Sequence, residues 1–420
     1  MEIDARLHND RLTGEIETTQ VAPTPMGGRR HVAGVLRDAR ADHSLPSASA
    51  QSSPALETLL DHARDQRSTA LVLVKDGKIV LEQYAAGHDP EQAVIAMSGS
   101  KSLVSLAVGL LIHDKKLSLD TRVGALFPQW RKLGAKGTIT VRQLLTHTSG
   151  LDASRADFQH GETIGEHARK AALLWPPGTR FQYNNGAVDF LAVVVHQAAG
   201  MALDALLEER IFRKLDMRGA HWMKDAAGDP RGAGELFIRP VDFAKIGQMM
   251  LDGGMWNGES IVPAEWIARS TEAGQPYDES CGMLWWRLGK FALTVNDAML
   301  AQWHDAGLDD KTLATARKLL GKQYASYAEY GAALTAAMGD AALATLQGAA
   351  MKGDHLPYSG QVASGPVKGF TAEGWLGQYL VVYPTSRIVA VRMRAPEAGD
   401  YGEGDRYGYS AFPDDVAAAF

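Results

Sequence analysis

The chain has 420 residues, of which 45% are hydrophobic and 22% charged, a composition typical of folded globular proteins and not of disordered or fibrous ones. Its formal net charge of −6 argues against a nucleic-acid partner, because nucleic acids bind basic surfaces. Cys281 is the only cysteine, which excludes an internal disulfide and a cysteine-based zinc site, and no motif points to a metal or a cofactor.

The N-terminal region differs in composition from the rest of the chain. Residues 1–55 are predicted to be an extension that ends in a linker rich in Ser, Ala and Pro at 43–54. The first residues are polar and acidic, unlike a signal peptide, and no run of about 20 apolar residues predicts a membrane span. We therefore expect a cytoplasmic protein, or a periplasmic or secreted one if a leader has been removed.

The elements of the fold follow from the patterning along the chain. A helix is expected around 55–66, followed by a hairpin whose strands, 69–74 and 78–83, flank a tight Asp-Gly turn. The segment SGSKSLVSLAVGLLI, 98–112, is apolar on nearly all sides, which predicts a buried helix. A second hairpin is predicted over 377–394, and a closing helix over 410–420.

Strands near both ends, with helices between them, predict an α+β fold with one antiparallel sheet that is flanked by helices and interrupted by a helical domain. The α/β domain would comprise residues 56–112, 231–290 and 366–420, and the helical domain residues 113–230. The Ala-rich residues 291–365 are predicted to form an extra helical insertion. Three interpretations of this insertion stay open: a lid over the pocket, a homodimer contact, or a segment without a function of its own.

Ser98 and Lys101 form the only Ser-x-x-Lys in the chain. Three residues along a helix place both side chains on one face. The helix dipole and burial would both lower the pKa of Lys101, so that its amine could take the proton of Ser98, while helix N–H groups favour a developing anion. The alternative is that Ser98 is a plain N-cap and Lys101 a solvated surface lysine.

Two further segments carry candidate chemistry. Tyr183 lies just before an apolar helix expected to start near Gly186, where its phenol could act first as general base and then as general acid. The alternative for Tyr183 is a core position. In the segment 372–378, AEGWLGQ, the glycines would let a substrate approach a strand edge, and the Trp375 N–H could pair with that of Ser98 as an oxyanion hole. The alternative for these glycines is a simple bend or bulge.

Taken in order, these motifs resemble the serine β-lactamase and penicillin-binding protein superfamily, which carries Ser-x-x-Lys among its signatures. The branch that the chain resembles is the class C-like one, with family VIII carboxylesterases, D-aminopeptidases and 6-aminohexanoate-dimer hydrolases. Matching stretches lie within residues 68–290 and 366–395 and include MSGSKS, LLTHTSGL, PPGTRFQYNN, GMLWW and GWLGQYLVVYP. The resemblance implies a β-lactamase/transpeptidase-like fold.

The resemblance also implies roles for individual residues. Ser98 would be the acylated nucleophile, Lys101 its base or electrostatic partner, and Tyr183 the general acid and base. The backbone N–H groups of Ser98 and Trp375 would form the oxyanion hole, and Asn185 would contact a substrate amide or the lysine.

Further residues are implied to bind substrate or to support the site. His147, in LLTHTSGL, is expected to brace a loop and not to act as a catalyst. At most one of the two neighbouring tryptophans would face the substrate, because successive residues of a strand point to opposite faces. The remaining candidates for substrate binding are Glu373, Gly374, Trp375, Trp285 and Trp286.

One departure from the family pattern bears on the substrate. Relatives carry Lys-Thr-Gly, or His in place of Lys, where this chain has Ala372-Glu373-Gly374, so the cation that would meet a β-lactam carboxylate is replaced and an acid stands beside it. The implied activity is a serine hydrolase that forms an acyl-enzyme with small esters or amides. We rank a carboxylesterase first, an amidase or peptidase of the 6-aminohexanoate-oligomer or D-amino-acid type second, and a weak β-lactamase third. A sensor that acylates without turnover is the non-hydrolytic alternative.

Overall fold

The structure of the chain is a computed structural model. It describes residues 37–38, 45–47, 52–153, 161–351, 360–397, 400 and 409–420. Most of the predicted extension and linker, 1–55, lies outside the described residues. Within them the fold is of the predicted α+β class, with an antiparallel sheet between two groups of helices.

The strands are β1 Arg37–Asp38, β2 Ala70–Lys75, β3 Lys78–Tyr84, β4 Val94–Ile95, β5 Leu151–Asp152, β6 Ala172–Leu173, β7 His221–Trp222, β8 Leu236–Ile238, β9 Met255–Trp256, β10 Glu259–Ser260, β11 Trp286–Leu288, β12 Phe291–Thr294, β13 Gly360–Ala363, β14 Gly369–Gly374, β15 Gln378–Tyr383 and β16 Ile388–Met393. The α-helices are α1 Pro54–Asp65, α2 Ser100–His113, α3 Val123–Leu126, α4 Val141–Leu145, α5 Ile164–Lys170, α6 Asn185–Ala199, α7 Leu203–Leu207, α8 Pro240–Leu251, α9 Ala264–Thr271, α10 Asp297–Asp305, α11 Asp310–Ala316, α12 Tyr327–Met338, α13 Asp340–Met351 and α14 Phe412–Ala419. A 3₁₀ turn, Met97–Gly99, precedes α2 directly.

Among the described residues, the main sheet has seven strands in the order β1-β3-β2-β16-β15-β14-β11, and all neighbouring strands in it are antiparallel. Both predicted hairpins are confirmed as β2–β3 and β15–β16. Asp76 and Gly77 connect β2 to β3 with φ of 51° and 76°, the turn conformation that matches the twist of a hairpin. Strands from both ends of the chain thus meet at the pairing of β2 with β16.

Helices cover both faces of this sheet. On one face α1 and α14 pack on Leu71, Leu73 and the neighbouring strands. On the other face α2 and α8 pack on the alternate residues, Val72 and Val74. The approach of α8 is close, because a Cβ on its Gly247 would lie 2.5 Å from side-chain carbons of β15 and β16.

The predicted buried helix is confirmed as α2. Residues 100–111 are all buried, which explains why the sequence is apolar around nearly the whole circumference. Gly109 admits Trp266 of α9, whose Cδ1 would lie 2.3 Å from a Cβ at that position. No single helix among the described residues is long and apolar enough to cross a membrane, although the bent pair Asn185–Ala199 and Leu203–Phe212 together meet that test.

The Ala-rich stretch forms helices α10 to α13 with a small core of its own, centred on Trp303, Tyr330 and Leu334. Strands β12 and β13 pair at its base, with Phe291 opposite Ala363. These two strands were not predicted from the sequence. Each has only four residues, and the two are far apart in sequence, so no local pattern marks their pairing.

Candidate active site

Ser98 and Lys101 are in direct contact. Ser98 lies in the 3₁₀ turn, and Lys101 lies in the first turn of α2 with only 3% of its surface exposed. The Lys101 Nζ donates hydrogen bonds to Ser98 Oγ at 2.9 Å and to the carbonyl of Ala233 at 2.6 Å. The alternative of a solvated surface lysine is therefore wrong.

The turn that carries Ser98 is held in an uncommon conformation. Met97 has a φ of +48°, which is rare for a residue with a side chain and is found where surrounding contacts impose it. Ser100 supplies two such contacts, because its Oγ donates to the Met97 carbonyl at 2.6 Å and accepts from the Leu236 N–H of β8 at 3.2 Å. The turn is thus fixed both to α2 and to the strand beside it.

The carbonyl that holds Lys101 is itself fixed from another helix. The Ala233 N–H donates to Asp189 Oδ1 at 2.8 Å, and Asp189 is a buried residue of α6. Burying a charged carboxylate is costly without such partners. Asp189 and Ala233 therefore position the lysine. Neither was predicted as a site residue: Asp189 lies close to Tyr183 in sequence, but its hydrogen bond joins it to a residue far along the chain.

Tyr183 lies two residues before α6, on the predicted loop that enters a helix. Its ring centroid is 4.7 Å from the Lys101 Nζ and 6.1 Å from the ring centroid of Trp286, which stacks on it. The structure therefore brings Ser98, Lys101 and Tyr183 into one pocket.

His147 braces the loop before Tyr183, as predicted. Its Nδ1 accepts the Asn184 N–H at 3.2 Å, and its carbonyl accepts the Gln182 N–H at 2.8 Å. Burial, and to a lesser degree the charge of Lys101, lower the pKa of His147 to about 3, so the imidazole is neutral near pH 7.

The edge of β14 forms the opposite side of the pocket. β11 pairs with β14 only as far as Trp286 opposite Thr371, so residues 372–374 extend beyond that ladder. Glu373 lines the pocket. A Cβ on Gly374 would lie only 2.4 Å from the Ala96 carbonyl oxygen, so glycine is what lets β14 approach the Ser98 turn this closely.

The other predicted residues divide into three groups. Trp286 lines the pocket, whereas Trp285 is fully buried and packs edge-on against Phe370 at 5.5 Å, so the prediction of substrate contact for Trp285 is wrong. Strand alternation accounts for the difference between the two tryptophans. Asn185 is the first residue of α6, and Trp375 is half-buried in the turn after β14, and neither belongs to the lining of this pocket.

The pocket is lined by Ser98, Lys101, Ser102, His147, Tyr183, Cys281, Leu284, Trp286 and Glu373. Three of these residues, Ser102, Cys281 and Leu284, were not predicted as site residues. Ser102 Oγ donates to the Leu284 carbonyl at 2.7 Å, which ties α2 to the segment before β11. Within the described part of the chain no group of three or more His, Cys, Asp or Glu residues could hold a metal ion.

A comparison with protein families identifies the class of the protein. The model of the Beta-lactamase family matches residues 55–405, and the chain belongs to this family. The relatives of the chain in this family of hydrolases include a 6-aminohexanoate-dimer hydrolase, an esterase and a putative penicillin-binding protein.

Individual relatives in the comparison have sequence identities below 30% with this chain over the matched regions. The chain is 27% identical over 218 residues to a 6-aminohexanoate-dimer hydrolase from Paenarthrobacter ureafaciens, a match that covers 47% of this chain and 55% of the relative. It is 28% identical over 196 residues to the esterase EstB from Burkholderia gladioli, covering 39% of this chain and 50% of the relative. The chain thus spans about half the length of these relatives.

The fold is shared more widely than the sequence. The crystal structure of a penicillin-binding protein from Bacillus halodurans superposes with a TM-score of 0.53 at 14% identity, covering 87% of this chain and 100% of that one. At this identity the likeness concerns the fold, which is the β-lactamase/transpeptidase-like fold that the motifs implied.

Proposed function

We propose that the protein is a carboxylesterase that works through an acyl-enzyme on Ser98. The observation that carries the proposal is the 2.9 Å contact between Lys101 Nζ and Ser98 Oγ, buried beside the ring of Tyr183. A serine hydroxyl is a weak nucleophile by itself, and it becomes an effective one when a neighbouring group takes its proton.

Acylation begins when Ser98 Oγ attacks the ester carbonyl while its proton passes to Lys101 or Tyr183. The new C–O bond pushes the carbonyl electron pair onto oxygen, and the backbone N–H groups of Ser98 and Trp375 stabilise that oxyanion. The close packing of Gly374 on Ala96 supports this pairing of donors, because it brings the two backbone segments together. When the intermediate collapses, the bond to the leaving oxygen breaks and Tyr183 protonates the departing alkoxide, and the proton taken from Ser98, held by Tyr183 itself or passed on from Lys101, restores the phenol.

Deacylation repeats these steps with water as the nucleophile. Tyr183 or Lys101 takes the proton of the water, and the acyl carbon forms a bond to the water oxygen. The bond to Ser98 Oγ then breaks while that proton passes to Oγ, which releases the acid and restores the serine hydroxyl. His147 takes no part as a base, because its accepting nitrogen is occupied by the Asn184 N–H and burial lowers its pKa to about 3, which makes the imidazole a weak base.

The charge at the strand edge bears on the choice of substrate. Glu373 lines the pocket where relatives that bind carboxylates carry a cation at the neighbouring position. A carboxylate placed there would repel an anionic substrate, which disfavours β-lactams relative to neutral esters. An amidase is the second candidate, because the chain is 27% identical to a 6-aminohexanoate-dimer hydrolase over the matched region.

The test is hydrolysis of p-nitrophenyl butyrate by the wild type, Ser98→Ala and a control, Ser105→Ala. Ser105 lies on the same helix, is fully buried, and its hydroxyl finds no hydrogen-bond partner among the described residues. We expect turnover to disappear in Ser98→Ala and to persist in Ser105→Ala. Turnover that persists in Ser98→Ala would refute the mechanism. Turnover of the 6-aminohexanoate dimer without turnover of esters would favour the amidase.

A further inference from the structure

The loop that leads to Tyr183 is held from one side by the segment that contains His147. The Gly178 N–H donates to the Thr148 carbonyl at 2.7 Å, and the Gln182 N–H donates to the His147 carbonyl at 2.8 Å. These bonds fix one edge of the loop by its backbone. The opposite edge of the loop is formed by residues 178–180, three to five positions before Tyr183.

The opposite edge is held by the helical insertion and the segment before it. Gln302 of α10 is only 3% exposed, and its Nε2 donates to the Thr179 carbonyl at 3.1 Å. Asp305, at the end of the same helix, lies 3.6 Å from the Arg180 guanidinium. The Tyr277 hydroxyl donates to the Gly178 carbonyl at 2.7 Å. Of these three contacts, only the one from Gln302 joins a buried side chain of the insertion to the backbone of the loop.

We propose that Gln302 is a positioning residue for Tyr183, and that the insertion therefore serves as a brace for the catalytic loop. The inference rests on the proposed role of Tyr183 in proton transfer. The pocket lining supports a brace over a lid, because none of the described lining residues comes from residues 291–363. The insertion contacts the loop at the Thr179 carbonyl and at the Arg180 side chain, and it supplies none of the described residues that line the pocket.

The chemical consequence of a displaced phenol depends on the leaving group. An alkoxide such as ethoxide must be protonated as it departs, whereas p-nitrophenolate leaves readily without a proton. A misplaced proton donor therefore slows the acylation of ethyl butyrate more than that of p-nitrophenyl butyrate. A general loss of folded protein would slow both reactions by the same factor.

The experiment measures kcat/KM for both esters in Gln302→Met, which keeps the length of the side chain but cannot donate a hydrogen bond. Asp309→Ala is the matched control, because it removes the N-cap of α11 within the same insertion without touching the loop. Tyr183→Phe gives the ratio of the two kcat/KM values when the phenol is lost altogether. We expect Gln302→Met to lower kcat/KM for ethyl butyrate about fivefold more than for p-nitrophenyl butyrate, the effect of one lost hydrogen bond.

The possible outcomes separate the inference from the proposed function. A ratio that changes in Gln302→Met and Tyr183→Phe but not in Asp309→Ala supports the brace. A ratio that changes in Tyr183→Phe alone, or equally in Gln302→Met and Asp309→Ala, overturns the positioning role and leaves the hydrolase mechanism standing. A ratio that stays constant in Tyr183→Phe overturns proton donation by Tyr183 and the brace with it.

Discussion

Replacing Gly374 with alanine tests the geometry of the proposed oxyanion hole. The new Cβ would lie 2.4 Å from the Ala96 carbonyl oxygen and 2.9 Å from the Met97 Cβ. Carbon and oxygen atoms that are not bonded settle at about 3.5 Å, so β14 or the Ser98 turn must move by about 1 Å. That movement separates the backbone of Trp375 from the backbone of Ser98.

The size of the expected loss in kcat/KM follows from the function of the two N–H groups. Loss of one oxyanion donor costs about 10²–10³ in kcat, and a shift of about 1 Å in a reacting geometry costs about 10²-fold. We therefore expect Gly374→Ala to lower kcat/KM for p-nitrophenyl butyrate by about 10²-fold. Overpacking of this kind also destabilises a fold, by about 1–3 kcal/mol.

The assay has to distinguish a displaced oxyanion hole in folded protein from a smaller fraction of folded protein. Urea unfolding of each variant gives the folded fraction under assay conditions, and kcat/KM is normalised to that fraction. Gly365→Ala is the matched control, because the nearest atom to its new Cβ lies at 3.8 Å, an ordinary contact. A normalised kcat/KM for Gly374→Ala within twofold of the control would refute the proposed oxyanion hole.

The parts of the fold that the sequence predicted are those whose signals are local. The Asp76-Gly77 turn lies between two β-branched runs, so the first hairpin needed no knowledge of distant residues. The same holds for Ser98 and Lys101, because helical spacing alone places both side chains on one face. In the structure the Lys101 Nζ lies 2.9 Å from Ser98 Oγ, as the separation of three residues in sequence leads one to expect.

The parts that the sequence did not predict depend on partners that are distant along the chain. Nothing near Trp285 and Trp286 indicates which of the two faces the pocket, since that is set by the register of β11 against Thr371. The bond from Ala233 to Asp189 likewise joins residues on different elements, and it decides where the amine of Lys101 is held. Alternation predicts that the two tryptophans differ, but only long-range pairing decides between them.

Three further predictions address the charges around the pocket. Glu373→Lys reverses the charge at the strand edge. Because nitrocefin carries a carboxylate, we expect its kcat/KM to rise about tenfold or more relative to that of p-nitrophenyl butyrate. An unchanged ratio of the two kcat/KM values would show that Glu373 does not select against anions. Asp189→Ala leaves the buried Ala233 N–H without its acceptor, which costs about 1–3 kcal/mol, so we expect kcat/KM to fall about tenfold, whereas Asp189→Asn keeps an acceptor oxygen and most of the activity. The third prediction concerns His147, whose pKa of about 3 lies below its value of about 6.5 in an unfolded chain, so the unfolded state binds the extra proton first as the pH falls. The free energy of unfolding should therefore decline below about pH 6.5, with a contribution from this imidazole of about 3 kcal/mol by pH 4.5. His147→Gln does not titrate, so urea unfolding between pH 7.5 and 4.5 should show a shallower decline for the variant. Equal slopes for the two proteins would mean that His147 is protonated in the folded state, and the neutral loop brace derived for it would be wrong.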